Sequence, residues 1–412
     1  MTSTLTGEQV TPFSPLQIGP ILLRNRFIRA GANEGMTPDG MPTQALVKHH
    51  RDMAAGGVGM TTVAYGAVSP EGRTFNHQFH LSREVLPHLR VLTKAVHAEG
   101  AAACLQITHG GSFTMLKPDR GFPKTASSGF NAFGFLQGIL WQTAMTERDM
   151  NCVADEFAQA ARLAREAGFD AVEIHMGHGY LLNQFLSPLS NHRRDHFGGN
   201  AEGRSRFPAM VLRRVKDAVG GRIAVTCKLN QTDAASGGID AQQAALTAKI
   251  LERDGADLLT LSGGHNMHSP WALFGSPMPI DEMKAYARGL ARIGPWVLGK
   301  QQPKGLRFRE LYFLETARTI RKAVSMPLAL VGGVKSLASA ERVLAEGFQA
   351  IALARALIHD PGFVNKLADG RLQQSACTSC NRCVMGIYDP NGVRCVLNAP
   401  NDPALSRRLA AE

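Results

Sequence analysis

The sequence predicts an α/β fold of the (β/α)8 TIM-barrel type with a C-terminal cysteine-rich extension. Three observations carry this. Eight short β-branched or apolar runs alternate with longer amphipathic stretches, the rhythm of repeated βα units around a parallel sheet. Polar and glycine-rich residues gather where those runs end, the face on which such barrels carry their chemistry. A chain of 412 residues with 44% hydrophobic content is large enough for one barrel with appendages.

In chain order the strand candidates are Arg26 to Ala32, Val58 to Val68, Ala101 to Thr108, Ala171 to His175, Ile223 to Lys228, Leu258 to Ser262, Leu328 to Val331 and Ala350 to Ala354. A helix is expected over Asp155 to Ala167, where Phe157, Ala160, Ala161 and Ala164 recur at helical spacing and Gly168 closes the end. Two connections, Ser112 to Thr146 and Gly263 to Arg309, exceed the ordinary loop of about 4 to 6 residues and are expected to shape a substrate entrance. The barrel is assigned to residues 1–370 and the extension to 371–412. The tail after Ala399 reads as frayed or as a partner-binding extension.

The formal charge is +11, but basic residues are scattered among acids, which argues against a nucleic-acid partner. Met1 to Pro20 show no signal-peptide pattern, and no apolar run approaches the roughly 20 residues of a membrane span; a cytoplasmic location off the membrane is expected. Seven cysteines are an odd count for a disulfide framework, and four crowd near the C-terminus. Cys104, Cys152 and Cys227 lie apart and read as buried packing residues.

The densest chemistry follows the fourth strand, in AVEIHMGHGYLLNQ. His175 and His178 can polarise a carbonyl or nitro oxygen, and the phenol of Tyr180 can deliver a proton to carbon. An isolated histidine pair would more often cap a barrel rim. The wider pattern shifts that balance. With RNRF at Arg24 to Phe27, LQITHGG at Leu105 to Gly111 and NHRRDHFGG at Asn191 to Gly199, the chain resembles the old yellow enzyme family, flavin-dependent ene-reductases and their relatives, over roughly residues 12–370. The resemblance implies FMN as cofactor and NAD(P)H as co-substrate. It makes His175 and His178 the ligands of the substrate's activating group and Tyr180 the proton donor. It also implies a small-molecule substrate; a homo-oligomer is expected.

For the flavin, the resemblance assigns Gln106 to the pyrimidine edge and Lys228 to the neighbourhood of N1, where a positive charge stabilises the reduced ring. The strand ends LVGGVKS and IALARALIHDPGF offer Gly332, Gly333, Ala354 and Arg355 as a phosphate cradle. After the first strand, Ala30, Gly31 and Asn33 would lie beside the ring. Many family members have Pro-Met followed by Thr or Cys there, so Asn33 would set the redox potential through a different hydrogen bond.

The extension carries CTSCNRCVMGIYDPNGVRC, with Cys377, Cys380, Cys383 and Cys395 separated by two, two and eleven residues. The spacing suits a 4Fe-4S cluster, then a four-cysteine zinc site, with unligated thiols the third reading. The segment resembles the cluster loop of trimethylamine dehydrogenase and 2,4-dienoyl-CoA reductase. No GxGxxG fingerprint follows it, so a cluster here implies an external electron partner or a structural role. Three functions are therefore expected in order: reduction of an activated, enone-type alkene by NAD(P)H through FMN; oxidation of an amine or ring with electrons leaving through the cluster; and a flavin-carrying binding or electron-relay barrel.

Overall fold

A computed structural model describes residues 10–287, 293–389 and 391–398. Its centre is a closed parallel barrel whose strands pair in sequence order, the eighth closing on the first through Ile351 opposite Phe27. The strands are Phe27–Arg29, Met60–Ala67, Ala102–Thr108, Ala171–Met176, Ala224–Asn230, Leu258–Ser262, Leu328–Val331 and Ala350–Leu353. All eight candidates from the sequence are present: Leu258–Ser262 and Leu328–Val331 have the expected bounds, four others differ in length by one residue, and the first two strands are three to four residues shorter than expected. They were readable because a parallel strand buried on both faces is a nearly continuous apolar run.

The floor of the barrel, at the strands' N-terminal ends, is plugged. A hairpin of Leu16–Ile18 and Ile21–Leu23 drives Leu16, Ile18 and Leu23 against Ile28, Met60, Cys104 and Leu258. Ala171, Ala224, Ala329 and Ala350 occupy the same layer, and their small side chains make the room. Helices surround the barrel. The predicted helix over 155–167 begins earlier, at Glu147–Glu166, because Thr146 and Asp149 form a reciprocal capping box that satisfies the first-turn amides. Its buried positions Met150, Val153 and Phe157 leave Cys152 on the outer face. The expectation that Cys152 is buried is thus corrected, whereas Cys104 and Cys227 are buried.

The two long connections rise over the opposite, C-terminal end. The first carries short strands at Lys124–Thr125, Gly129–Phe130 and Trp141–Ala144, and the second carries helices at Pro270–Phe274, Ile280–Tyr286 and Ile293–Gln301. The cysteine segment folds back onto the same end, where Val393 N donates to Glu34 O at 2.7 Å. Among the described residues no helix is long and apolar enough to cross a membrane. The tail after Ala399 lies outside the described residues.

Candidate active site

Where the plugged floor is solid, the mouth encloses a cavity of about 400 Å³. Inward and outward residues alternate along each strand, so in the fourth strand Glu173 and His175 point into the barrel while Val172 and Ile174 join the outer core. Directly after this strand the chain turns sharply. His178 adopts a left-handed φ of 61° and Gly179 a φ of 88°. A Cβ on Gly179 would come 2.6 Å from the His265 ring, so no larger residue fits. The turn is fixed by Asn230 Oδ1, which accepts from His178 N at 3.1 Å. It delivers His175, His178 and Tyr180 to one wall of the cavity.

Each imidazole has one nitrogen engaged. His175 Nδ1 accepts from Gly177 N at 3.2 Å, which puts its proton on Nε2; His178 Nε2 meets Ser262 Oγ at 2.7 Å. Burial pushes both rings far below the usual histidine range, helped by each other for His175 and by Lys228 for both. They are neutral at pH 7 and keep a ring N–H to donate. Burial also pushes the Tyr180 phenol up to about 12, although its hydrogen bonds with Tyr65 and Asn266 pull it back. Tyr180 is a protonated donor throughout the physiological range.

Under these groups lies a polar floor of interior side chains. Gln106 Nε2 donates to Glu173 Oε1 at 2.6 Å, Thr260 Oγ1 donates to Glu173 Oε2 at 2.8 Å, and Lys228 Nζ stands 3.3 Å from Glu173 and 2.8 Å from Gly31 O. A Cβ on Gly31 would lie 2.7 Å from Gln106 Nε2, so glycine there lets the first strand's backbone lie against the amide. Ala30, Gly31 and Asn33 all line the cavity, and Asn33 Oδ1 accepts from Gly35 N at 2.9 Å.

The far side is basic. Gly332 and Gly333 have φ of 125° and 83° and are backed by Phe313 and by Arg309 O, so their amides can face an anion at close range. Ala354, Arg355 and Lys335 complete that rim. Arg355 is partly committed: it donates to Ser276 Oγ at 3.0 Å, Asn381 Oδ1 at 2.5 Å and Phe274 O at 2.7 Å, tying lid and cysteine segment to the barrel. Lys335, whose ammonium donates to Cys377 O at 3.1 Å and lies over the Phe308 ring, has fewer hydrogen bonds among the described residues. Three cations and no carboxylate line the cavity among the described residues.

The four cysteines divide. Cys377 and Cys383 line the main cavity, and together with Cys380 and Cys395 they line a small adjoining one behind Arg355. Burial, opposed by Arg355 and helped by Cys377, Cys380 and Cys395, raises the Cys383 thiol to about 12. Among the described residues no three His, Cys, Asp or Glu side chains sit closely enough for a single metal ion.

Sequence reasoning passed over Tyr65, Glu173, Ser262 and Lys335, all of which line or support the cavity. Strand alternation carried a signal for two: Glu173 stands two residues before His175, and Ser262 ends the sixth strand. Other quoted motifs serve architecture. Arg24 clamps Val58 O and Glu99 O, and Arg193 of NHRRDHFGG bridges Ala126 O and Met145 O.

A closed barrel with a neutral donor wall, a glycine-lined basic rim and an amide-lysine floor defines an oxidoreductase barrel built around an anionic, planar cofactor. The chain belongs to the NADH:flavin oxidoreductase / NADH oxidase family, whose model matches residues 12–271. It is an FMN-dependent oxidoreductase related to old yellow enzyme. It is 38% identical to 4,4'-dithiodibutanoate disulfide reductase of Rhodococcus erythropolis over 95% of this chain and 96% of that protein. It is 30% identical to an NADH oxidase of Thermoanaerobacter brockii, covering 94% of this chain but only 55% of that one. A 2-naphthoyl-CoA reductase complexed with 2-naphthoyl-CoA shares the fold, with a TM-score of 0.77, 22% identity and coverage of 97% of this chain and 58% of that chain. The chain thus spans nearly all of one relative and little more than half of the others.

Proposed function

We propose that this chain reduces a small, electron-poor alkene of the enone type with electrons from NAD(P)H. The observation that carries the reading is the wall of His175, His178 and Tyr180, three neutral hydrogen-bond donors facing one cavity. FMN, when bound, supplies a two-electron carrier between nicotinamide and substrate. Gln106 and Lys228 suit its pyrimidine edge, Ala30, Gly31 and Asn33 its ring, and Gly332, Gly333, Ala354, Arg355 and Lys335 its phosphate. His175 and His178 hold the substrate's carbonyl oxygen, and donors fixed before the reaction stabilise charge as it develops there. Tyr180 gives its proton to the carbon left electron-rich. The absence of a lining carboxylate among the described residues favours neutral or anionic substrates over the cationic amines of the dehydrogenase reading.

A second reading is favoured by the full-length relative at 38% identity, a reductase of a dicarboxylate disulfide. One anaerobic experiment separates the readings. Nicotinamide should bleach the flavin, and an enone should restore its colour. Recovery with 4,4'-dithiodibutanoate but not with an enone would favour the second, and bleaching by an amine without nicotinamide would favour oxidation.

The cysteine segment supports a 4Fe-4S cluster held by Cys377, Cys380, Cys383 and Cys395. Its thiols share a cavity, and the neighbouring thiols help raise those of Cys383 and Cys395, a repulsion between thiolates that a cationic iron core would relieve. Zinc would need all four sulfurs about 2.3 Å from one ion, a tighter convergence than these residues have. Such a cluster would supply one-electron transfer to an outside partner. Iron and acid-labile sulfide near four per chain, lost in Cys383→Ala, is the expected assay result.

A further inference from the structure

The Tyr180 hydroxyl does not stand alone: it donates to the hydroxyl of Tyr65 at 2.9 Å, and the rings meet edge to face at 5.3 Å between centroids. Both phenols are 6% exposed, and Phe113, Ala64, Phe133 and Met267 enclose them. Tyr65 comes from the end of the second strand, a part of the barrel that carries none of the donors discussed above. Its backbone is held firmly. The buried carboxylate of Glu34, paired with Arg29 at 2.7 Å, accepts from Ala64 N at 3.1 Å through both oxygens, and Gln78 Nε2 donates to Tyr65 O at 3.3 Å. Burial of this ion pair is costly, and its carboxylate is bound to the backbone beside Tyr65. It fixes the peptide that carries Tyr65.

We propose that Tyr65 is a positioning residue for the proton step, so that the acid of this site is a pair of phenols. The inference rests on the alkene reading of the function. In the free protein Tyr180 donates to Tyr65, which keeps its proton in the pocket and its oxygen aimed. During turnover the Tyr180 O–H bond breaks and a C–H bond forms at the substrate carbon next to the carbonyl. The electron pair for that bond is the alkene's own π pair, displaced as the C=C bond breaks when a hydride originating on the reduced nicotinamide forms the other new C–H bond at the far alkene carbon. The Tyr65 O–H then turns to donate to the Tyr180 phenolate, which would otherwise be an anion in an apolar box with Asn266 alone beside it. Water reprotonates Tyr180 after product leaves. The buried Arg29–Glu34 pair, through Ala64, sets the distance at which this exchange works.

The test uses Tyr65→Phe in the flavin-loaded protein and two substrates that differ in their need for a proton. An enone must be protonated at carbon within the site. A nitroalkene leaves a nitronate that is stable as an anion and takes its proton later in water. The ratio of enone to nitroalkene reoxidation rates should fall roughly tenfold in Tyr65→Phe, the size expected when a hydrogen bond to a developing anion is removed. The solvent deuterium isotope effect on the enone should rise with it, while flavin reduction by nicotinamide serves as the control for an intact site. A ratio and an isotope effect equal to those of the unaltered protein would overturn the proposal, as would equal slowing of both alkenes. An unaltered protein that is reoxidised by neither alkene would instead remove the alkene reading, and this inference with it.

Discussion

The same eight strands have two different ends. At the floor each strand contributes a small or aliphatic residue, Ala171, Ala224, Leu258 and Ala350 among them, to a dry plug beneath the hairpin. A few residues further along the same strands stand His175, Lys228, Ser262 and Ala352, lining a cavity. Floor and mouth thus share one backbone but divide the work, the floor supplying burial and the mouth keeping polar groups poised at a cost in stability. Substitutions at the two ends should separate accordingly.

The largest expected effect is at the mouth. Tyr180→Phe should lower enone turnover about 10² to 10⁴-fold, the range of a lost general acid, while flavin reduction by nicotinamide stays within about twofold. Its stability should change by only about 1 kcal/mol, the worth of one hydrogen bond to Tyr65. Rapid-mixing spectroscopy of the two half-reactions, beside a urea titration, checks both numbers. Next comes the layer between the ends. Glu173→Gln strips Lys228 of its buried counter-charge, and breaking such a pair from one side costs about 3–5 kcal/mol. Because Glu173 also holds Gln106, flavin should be retained less tightly on dialysis. A variant that keeps full flavin affinity would confine Glu173 to the floor's structural role.

The floor itself should respond in stability alone. Ile18 is fully buried in the plug, and Ile18→Ala should cost about 2–5 kcal/mol in urea unfolding without altering either half-reaction at temperatures where the protein stays folded. Changed flavin reduction in that variant would show that floor and mouth are coupled, against the division drawn above.

The barrel strands were legible in the sequence, the hairpin that plugs the floor was not, and the mouth was legible only in part. Burial on both faces writes a strand as an unbroken apolar run, and this is why Leu328–Val331 and Ala350–Leu353 could be found from the sequence. His175, His178 and Tyr180 were legible because one tight turn supplies all three. Tyr65 was not, since its partner lies 115 residues away and nothing in MTTVAYGA marks the tyrosine until the barrel closes. Lys335 was hidden by the more conspicuous Arg355, whose guanidinium proves to be tied to Ser276 and Asn381. Cys152 was misjudged because the helix phase set by Met150, Val153 and Phe157 was not carried back to its start.

The smallest effect, per pH unit, concerns titration, and it also divides the two ends. Burial lowers His109 and His265 to about 4 and holds His175 and His178 well below the ordinary imidazole value, all at the mouth. In the plug Leu16, Ile18 and Leu23 pack on Ile28, Met60 and Leu258, and no depressed histidine among the described residues belongs to it. A histidine whose folded pKa is depressed stays neutral in the folded chain but gains a proton in the unfolded one below about 6.5. The unfolded state then binds more protons, so stability is complete above that pH and falls as the pH drops toward the folded value, by up to about 1.4 kcal/mol per pH unit for each such histidine. Acid should therefore loosen the mouth, and with it the helix Gln44–Ala55, where burial holds His49 at about 3 and His50 well below its ordinary range, before the plug. Hydrogen exchange at pH 5.5 against pH 7.5, corrected for intrinsic rates, should rise first in the turn over 177–180 and in the lid over 263–287. The strands Leu16–Ile18 and Ile21–Leu23 should follow only with global unfolding. Equal and simultaneous loss of protection at both ends would mean that the barrel opens as one unit and that the mouth's strain is carried by its floor.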